Sequence, residues 1–157
     1  MDLAYFHLID RITDLNIGEK TIAVEAQVPQ QNTIFEGHFP GYPLMPGVLL
    51  IESMAQASGW LLIASMKFER MPFLAAVKEA KMRTFVTPGE LLSIEASIVH
   101  EGSGYAITQA NVRVGGKRRC NATITFGIAP FPNADMRGHM EAMARRIGFP
   151  QQMIAHD

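Results

Sequence analysis

The sequence carries one cysteine, Cys120, which excludes an internal disulfide and fits a reducing compartment. It has no excess of either charge. Fourteen Lys and Arg stand against fifteen Asp and Glu, a formal net charge of −1, which argues against general nucleic-acid binding. Residues 1–10 form no basic-then-apolar leader, and no apolar run is long and uninterrupted enough to cross a bilayer. The sequence therefore predicts a cytoplasmic protein with no membrane insertion. There is no internal repeat and no low-complexity segment. No His, Cys and carboxylate residues cluster at metal-ligand spacing, so no metal site is expected. His7, His100, His139 and His156 are scattered and read as structural or solvent-exposed side chains. The composition, 48% apolar and 18% charged over 157 residues, is that of one globular domain burying about two-thirds of its surface.

One stretch organises the chain. Residues 35–60 read FEGHFPGYPLMPGVLLIESMAQASGW, a histidine in a Gly/Pro-rich loop followed by a long apolar segment. Prolines 40, 43 and 46, with glycines 37, 41 and 47, argue against helix or strand before residue 46. Pro46 suits a helix start, where its missing N–H would have had no partner. From Gly47 the pattern is apolar on nearly every face, so a buried central helix is predicted, broken as a membrane span by Glu52, Ser53, Gln56 and Ser58.

That helix carries a carboxylate, and the sequence around it suggests chemistry. Glu52 and Gln56 are four apart, hence neighbours on one face, and the amide can hold the carboxyl in one orientation. A carboxyl among apolar side chains resists ionisation, which suits a proton donor near neutral pH. His38 can act as base or acid in the same range. The free N–H groups of Gly47 and Val48 at the helix start can hold an oxygen gaining negative charge. A base, an acid and an oxyanion donor this close together suit removal of a proton beside a carbonyl.

The rest of the chain reads as strands and one further helix. A short helical or irregular lead-in and a strand start fill residues 1–13, and 21–28 alternate as a strand after a turn at 16–20. Residues 71–85 read as a long strand, followed by a Thr87-Pro88-Gly89-Glu90 turn. Strands at 91–100, 105–114 and 117–128 are joined by residues 101–104 and by Gly115-Gly116, the strongest hairpin signal present. One helix followed by four closely spaced strands is an α+β pattern with antiparallel pairing. Residues 134–147 place Met136, Met140, Met143, Ala144 and Ile147 on one helical face, opposite Arg137, Glu141, Arg145 and Arg146. The predicted division is a domain at 1–132 and an amphipathic helical extension at 133–157, docked on the domain or on a neighbouring subunit. Gly148 and Pro150 end that helix, and the last few residues are expected to be disordered.

The run HFPGYPLMPGVLLIESMAQ resembles the signature of 3-hydroxyacyl-(acyl carrier protein) dehydratases, of the type whose acid is glutamate. Its interval of fourteen residues from His38 to Glu52 is the specific feature, and the likeness continues more loosely from residue 8 to about residue 131. Two departures stand out: Ala4-Tyr5-Phe6-His7 replaces a Pro-His-Arg-Tyr-Pro run, and a polar tail follows Pro132. The resemblance implies a single hotdog domain, an antiparallel sheet wrapped round a long central helix. It implies His38 and Glu52 as the catalytic pair, Gly47 as the oxyanion-type donor and Gln56 as the residue steadying the acid. It also implies Phe73 as an aromatic gate, with Leu74 beside it, over an acyl tunnel, and Lys81 and Arg83 as contacts for an acidic carrier protein. The substrate would ride on the phosphopantetheine arm of acyl carrier protein, with no cofactor. Homodimers with shared active sites, often grouped in threes, are implied as well.

The expected reaction is dehydration of a (3R)-3-hydroxyacyl thioester to the trans-2-enoyl thioester, in fatty acid or envelope-lipid synthesis. Two alternatives stand beside it, one enzymatic and one from a different class. One is another hotdog activity, thioester hydrolysis or enoyl-CoA hydration. The other is a non-catalytic acyl-binding subunit, against which the presence of both His38 and Glu52 argues. Arg118 and Arg119 read equally well as a solvated face or as part of the carrier contact, and Glu36 and Tyr42 as solvated loop residues. Cys120, mid-strand, reads as packing.

Overall fold

A computed structural model describes residues 1–154. His156 and the segment expected to be disordered fall largely or wholly outside the described residues. A single 3-10 turn, Leu3–Tyr5, leads into β1 (Arg11–Asn16) and β2 (Thr21–Gln27). There follow α1 (Thr33–Gly37), α2 (Gly47–Ser65) and β3 (Arg70–Met82), then β4 (Leu91–Gly102), β5 (Tyr105–Val114) and β6 (Lys117–Pro130). The chain closes with α3 (Ala134–Arg146) and α4 (Gln151–Ile154). The six strands form one sheet in the order β1-β2-β4-β5-β6-β3, with every neighbouring pair antiparallel.

Strand alternation sorts the side chains. Ile22, Val24 and Ala26 of β2, Leu92, Ile94 and Ala96 of β4, and Cys120, Ala122, Ile124 and Phe126 of β6 are buried on the face that meets α2. Ala96, Ala110 and Ala122 lie opposite one another across three strands, so the middle of that face is shallow and a helix can approach it closely. The helix is buried along most of its length, and its absence of a polar face follows: it has core on nearly all sides. It is the one described helix long and apolar enough to cross a membrane, and it serves as the core of the sheet. Two hydroxyls carried into that core satisfy each other, with Thr108 Oγ1 donating to Ser58 Oγ at 2.8 Å.

The hairpins have simple causes. Gly115 and Gly116 both adopt the left-handed conformation, as do Ser103 and Gly104, and two-residue turns of that kind match the twist of the strands they join. Glu101 and Gly102, read as turn residues, belong to β4 instead. Two short helices correct the reading of the sequence. Helix α1 forms before the prolines take over, because the Asn32 side chain accepts from the Ile34 N–H and Phe35 is buried beneath it. Helix α4 forms after Pro150 and buries Ile154.

The tail is joined to the domain. Asn133 caps α3 by accepting from the Met136 N–H at 2.8 Å, and the Ile12 N–H donates to the Ile147 carbonyl at 2.8 Å. Phe149, just past α3, packs on Trp60 at 5.8 Å and edge-on to Phe68 at 5.6 Å, near the end of α2.

One ionic clamp fixes the approach to α2. Arg119, half-buried on β6, donates to the Phe85 carbonyl at 2.7 Å and to both Glu90 carboxylate oxygens at 3.2 and 3.0 Å. Thr87 adds its N–H and hydroxyl to Glu90, each at 2.9 Å. Burial alone would raise the Glu90 carboxyl, but the Thr87 N–H, the Arg119 guanidinium and the Thr87 hydroxyl together hold it below its ordinary value of 4.5. The clamped loop ends at Val86, whose carbonyl accepts from the Met45 N–H at 2.7 Å, just ahead of α2. Arg119→Ala is therefore expected to cost about 1.5–3 kcal/mol at pH 7, read by urea unfolding. Because the folded carboxyl is the more acidic, its contribution is present above pH 4.5 and is lost as pH falls through the folded value. The gap between wild type and variant should narrow below that pH. An unchanged gap would mean that the charge on Glu90 contributes nothing.

Candidate active site

The site is built around the start of α2. Pro46 ends the loop with an extended backbone, and its carbonyl accepts from the Leu49 and Leu50 N–H groups at 3.0 and 3.3 Å. The Gly47 and Val48 N–H groups, at the positive end of the helix, find no acceptor among the described residues. Gly47 is not held there by a left-handed backbone. A β-carbon at this position would sit 3.6 Å from the Met82 thioether, in ordinary contact, so a longer side chain would press on Met82 and crowd the open N–H.

His38 is fixed by its own loop. Its N–H donates to the Ile34 carbonyl at 3.1 Å, and its carbonyl accepts from the Leu44 N–H at 2.8 Å. Its ring Nδ1 lies 3.0 Å from the Leu44 carbonyl. A carbonyl oxygen can only accept, so Nδ1 carries the proton and Nε2 of the neutral ring is the basic nitrogen. The ring stacks on Phe39 with centroids 4.3 Å apart.

Glu52 lies half-buried in the second turn of α2. Gln56 Nε2 donates to Glu52 Oε1 at 3.3 Å and to the Phe6 carbonyl at 3.1 Å, while Gln56 Oε1 accepts from the Leu8 N–H at 3.3 Å. The amide is thus gripped at both ends by the lead-in segment before β1. The grip uses only backbone atoms of residues 6 and 8, so the altered side chains at 4–7 leave it available. That clamp was not legible in the sequence, since nothing local links residue 6 to residue 56.

Glu52 and Gln56 stand at one end of a cavity of about 230 Å³. Its other walls are almost entirely apolar and include Trp60, Leu74 and Phe126, together with Met140 and Met143 of α3. His38 is not among them. Leu74 therefore lines the cavity, but Phe73 does not. Alternation along β3 turns Phe73 to the other face, where its ring covers Gly127 so closely that a β-carbon there would meet it at 2.2 Å. Phe73, expected as a gate, does not line this cavity for that reason. The methionine wall was missed because helical spacing identified the apolar face of α3 without indicating what it faces.

The basic residues fall into two groups. Lys81 is exposed on β3 opposite Asn121, and Arg83 just beyond it is exposed while donating to Asn121 Oδ1 at 3.2 and 3.1 Å. Arg119 is committed to the Glu90 clamp, and Arg113 donates to the Gly116 carbonyl at 3.2 Å, whereas Lys117 and Arg118 are exposed. Cys120 is fully buried, and burial pushes its thiol up to about 11, which removes it from nucleophilic chemistry at neutral pH. Among the described residues no three His, Cys, Asp or Glu side chains gather as a metal site would require. Strand β3 is an outer edge of the sheet, thirteen residues long, with Phe73, Leu74 and Met82 exposed along it.

Residues 2–123 match the FabA-like domain model. The chain is 41% identical to the 3-hydroxyacyl-[acyl-carrier-protein] dehydratase FabZ of Levilactobacillus brevis, over 77% of this chain and 82% of that one. It is 38% identical to the enzyme of the same name from Clostridium acetobutylicum, over 77% and 86%. Among solved structures, a conserved protein of Pseudomonas aeruginosa superposes with a TM-score of 0.62 at 22% identity, covering 80% of this chain and 93% of that one. A hypothetical thioesterase of Streptococcus pneumoniae, solved with coenzyme A, gives 0.60 at 17%, covering 78% and 90%. At that identity the structural likeness establishes the fold alone: the hotdog, an antiparallel sheet round a central helix.

Proposed function

The chain belongs to the FabA-like family, and from that premise we propose that it is a hydro-lyase converting (3R)-3-hydroxyacyl-acyl carrier protein to trans-2-enoyl-acyl carrier protein. The observation that carries this reading is the Glu52 carboxyl, held by Gln56 in the wall of an otherwise apolar cavity. A thioester oxygen bound at the free N–H of Gly47, with Val48 beside it, gains charge as the C2 proton leaves, and the helix start stabilises that charge. His38 Nε2 takes the C2 proton. The electron pair forms the C2–C3 double bond, the C3–O bond breaks, and protonated Glu52 gives its proton to the departing hydroxyl, so that water leaves. Transfer of the proton from imidazolium to carboxylate resets the site. The reaction requires no metal or organic cofactor beyond the phosphopantetheine arm that carries the substrate, and the free, buried Cys120 suits a reducing cytoplasm.

The site is completed by a second subunit in this proposal. Glu52 lies about 8 Å along the helix from its start, and His38 belongs to the loop before it. Within one subunit His38 does not line the Glu52 cavity, and the exposed apolar edge at β3 is a surface that proteins cover. A two-fold dimer covers that edge and lets each loop reach the partner's helix, with dimers grouped in threes as a further level.

Lys81 and Arg83 are proposed as the landing site for acidic acyl carrier protein. Product analysis tests the chemistry: a dehydratase creates a conjugated enoyl chromophore, whereas a thioesterase frees the thiol. The same assay tests the landing site when run on carrier-linked and small-thiol substrates. Lys81→Glu with Arg83→Glu should slow only the carrier-linked reaction, chiefly at low salt where screening is weak. Free thiol as the product would reject the dehydratase, and equal losses on both substrates would reject the docking role.

A further inference from the structure

Residues beyond the 2–123 stretch shared with the family supply one wall of the cavity that Glu52 opens into. On α2 the lining positions are Glu52, Ala55, Gln56, Gly59, Trp60 and Ile63, related by steps of three and four and so forming one continuous stripe. The stripe rises about 16 Å, and after the Glu52–Gln56 pair its walls are apolar. The tail packs on the later turns of α2, since Phe149 lies against Trp60 and Phe68. Met140 and Met143, three apart on α3, complete the lining.

We propose that Met140 and Met143 are the floor of the acyl-binding cavity and set the longest acyl chain that fits with its 3-hydroxyl at Glu52. The inference rests on the dehydratase reading for the substrate's head, and on the shape and polarity of the cavity for its tail. A volume of about 230 Å³, at about 30 Å³ for each water-sized group, holds on the order of eight methylenes. Methionine is unbranched and turns about three bonds, so this floor yields gradually instead of imposing a sharp stop. A tail outside the family's shared stretch thereby becomes the specificity-determining part of the site.

Trp60 is the single tryptophan and lines the cavity, so its fluorescence reports an occupying chain whether or not chemistry follows. Saturated acyl N-acetylcysteamine thioesters of increasing length serve as the probe, because without a 3-hydroxyl they cannot be dehydrated. For the wild type, Kd should improve about fourfold per added methylene up to a limiting length and then level off. Met140→Ala with Met143→Ala should move that limit by about two carbons and tighten the longest ligands about sixteenfold. Met143→Phe should move it the other way. Turnover of the matching 3-hydroxyacyl thioesters is measured in parallel.

Two results overturn the floor. One is a wild-type affinity that keeps improving with no limit, which needs no variant. The other is a limit unmoved in variants that keep the wild-type thermal midpoint. If the alanine variant does not fold, the wild-type series and Met143→Phe still decide. Absence of dehydration alongside a clear length limit rejects the dehydratase reading alone. Dehydration with a length limit that the substitutions do not move rejects the floor alone.

Discussion

Replacing His38 with alanine is expected to lower dehydration by about 10²–10⁴-fold, and Glu52→Gln by a similar factor, the usual contribution of a positioned base or acid. The two losses have different causes. In the proposed mechanism, loss of His38 leaves the C2 proton without an acceptor. The glutamine at 52 keeps the size and polarity of the original side chain but has no acidic proton to give to the leaving hydroxyl. Both variants should stay folded, because neither side chain belongs to the buried core: His38 and Glu52 are each half-buried, and the helix and loop are held by other contacts. The measurements are kcat on a 3-hydroxyacyl substrate, with circular dichroism and a thermal midpoint as controls. Near-normal turnover in either variant, with wild-type folding, would show that the residue has been given the wrong role.

Mixing these two inactive proteins should restore activity toward about a quarter of wild type, once subunits exchange. The figure follows from two-fold symmetry. Random pairing makes about half the dimers mixed. In a mixed dimer one site lacks both groups, while the other combines the intact His38 of one chain with the intact Glu52 of its partner. Half the dimers with one working site of two gives about a quarter. If both residues served the same subunit's site, every site in every dimer would lack one group and mixing would recover nothing. The experiment thus separates the two arrangements by presence or absence of activity, provided that exchange is checked independently, for example by mass-tagged subunits.

Much of the fold was legible because its causes are local. The turn at Gly115-Gly116 follows from the steric freedom of two adjacent glycines, and the strands beside it follow from alternation of period two. Helix α2 could be read from its unbroken apolar pattern after Pro46, and α3 from the spacing of its methionines. Helix α1 was hidden because one side-chain cap at Asn32 outweighs the breakers that follow it. The stretch from His38 to Gln56 was legible as a candidate site because a histidine, a carboxyl and a helix start lie within one short segment.

By itself the sequence determined the antiparallel α+β class, the central helix and the residue types available for proton transfer beside a carbonyl. These depend on interactions between residues a few positions apart, which a pattern can encode. Only the tertiary structure decided which surfaces meet. Phe6 and Leu8 grip Gln56, Arg119 clamps the loop ahead of α2, and Met140 and Met143 wall the cavity that Glu52 opens into. Leu74 faces that cavity while its neighbour Phe73 covers Gly127 on the other face. Each of these contacts joins segments far apart in the chain, or depends on which way a strand is turned. Both are set when the sheet closes round the helix and the tail packs on Trp60, a consequence of the whole chain's burial that no short pattern contains.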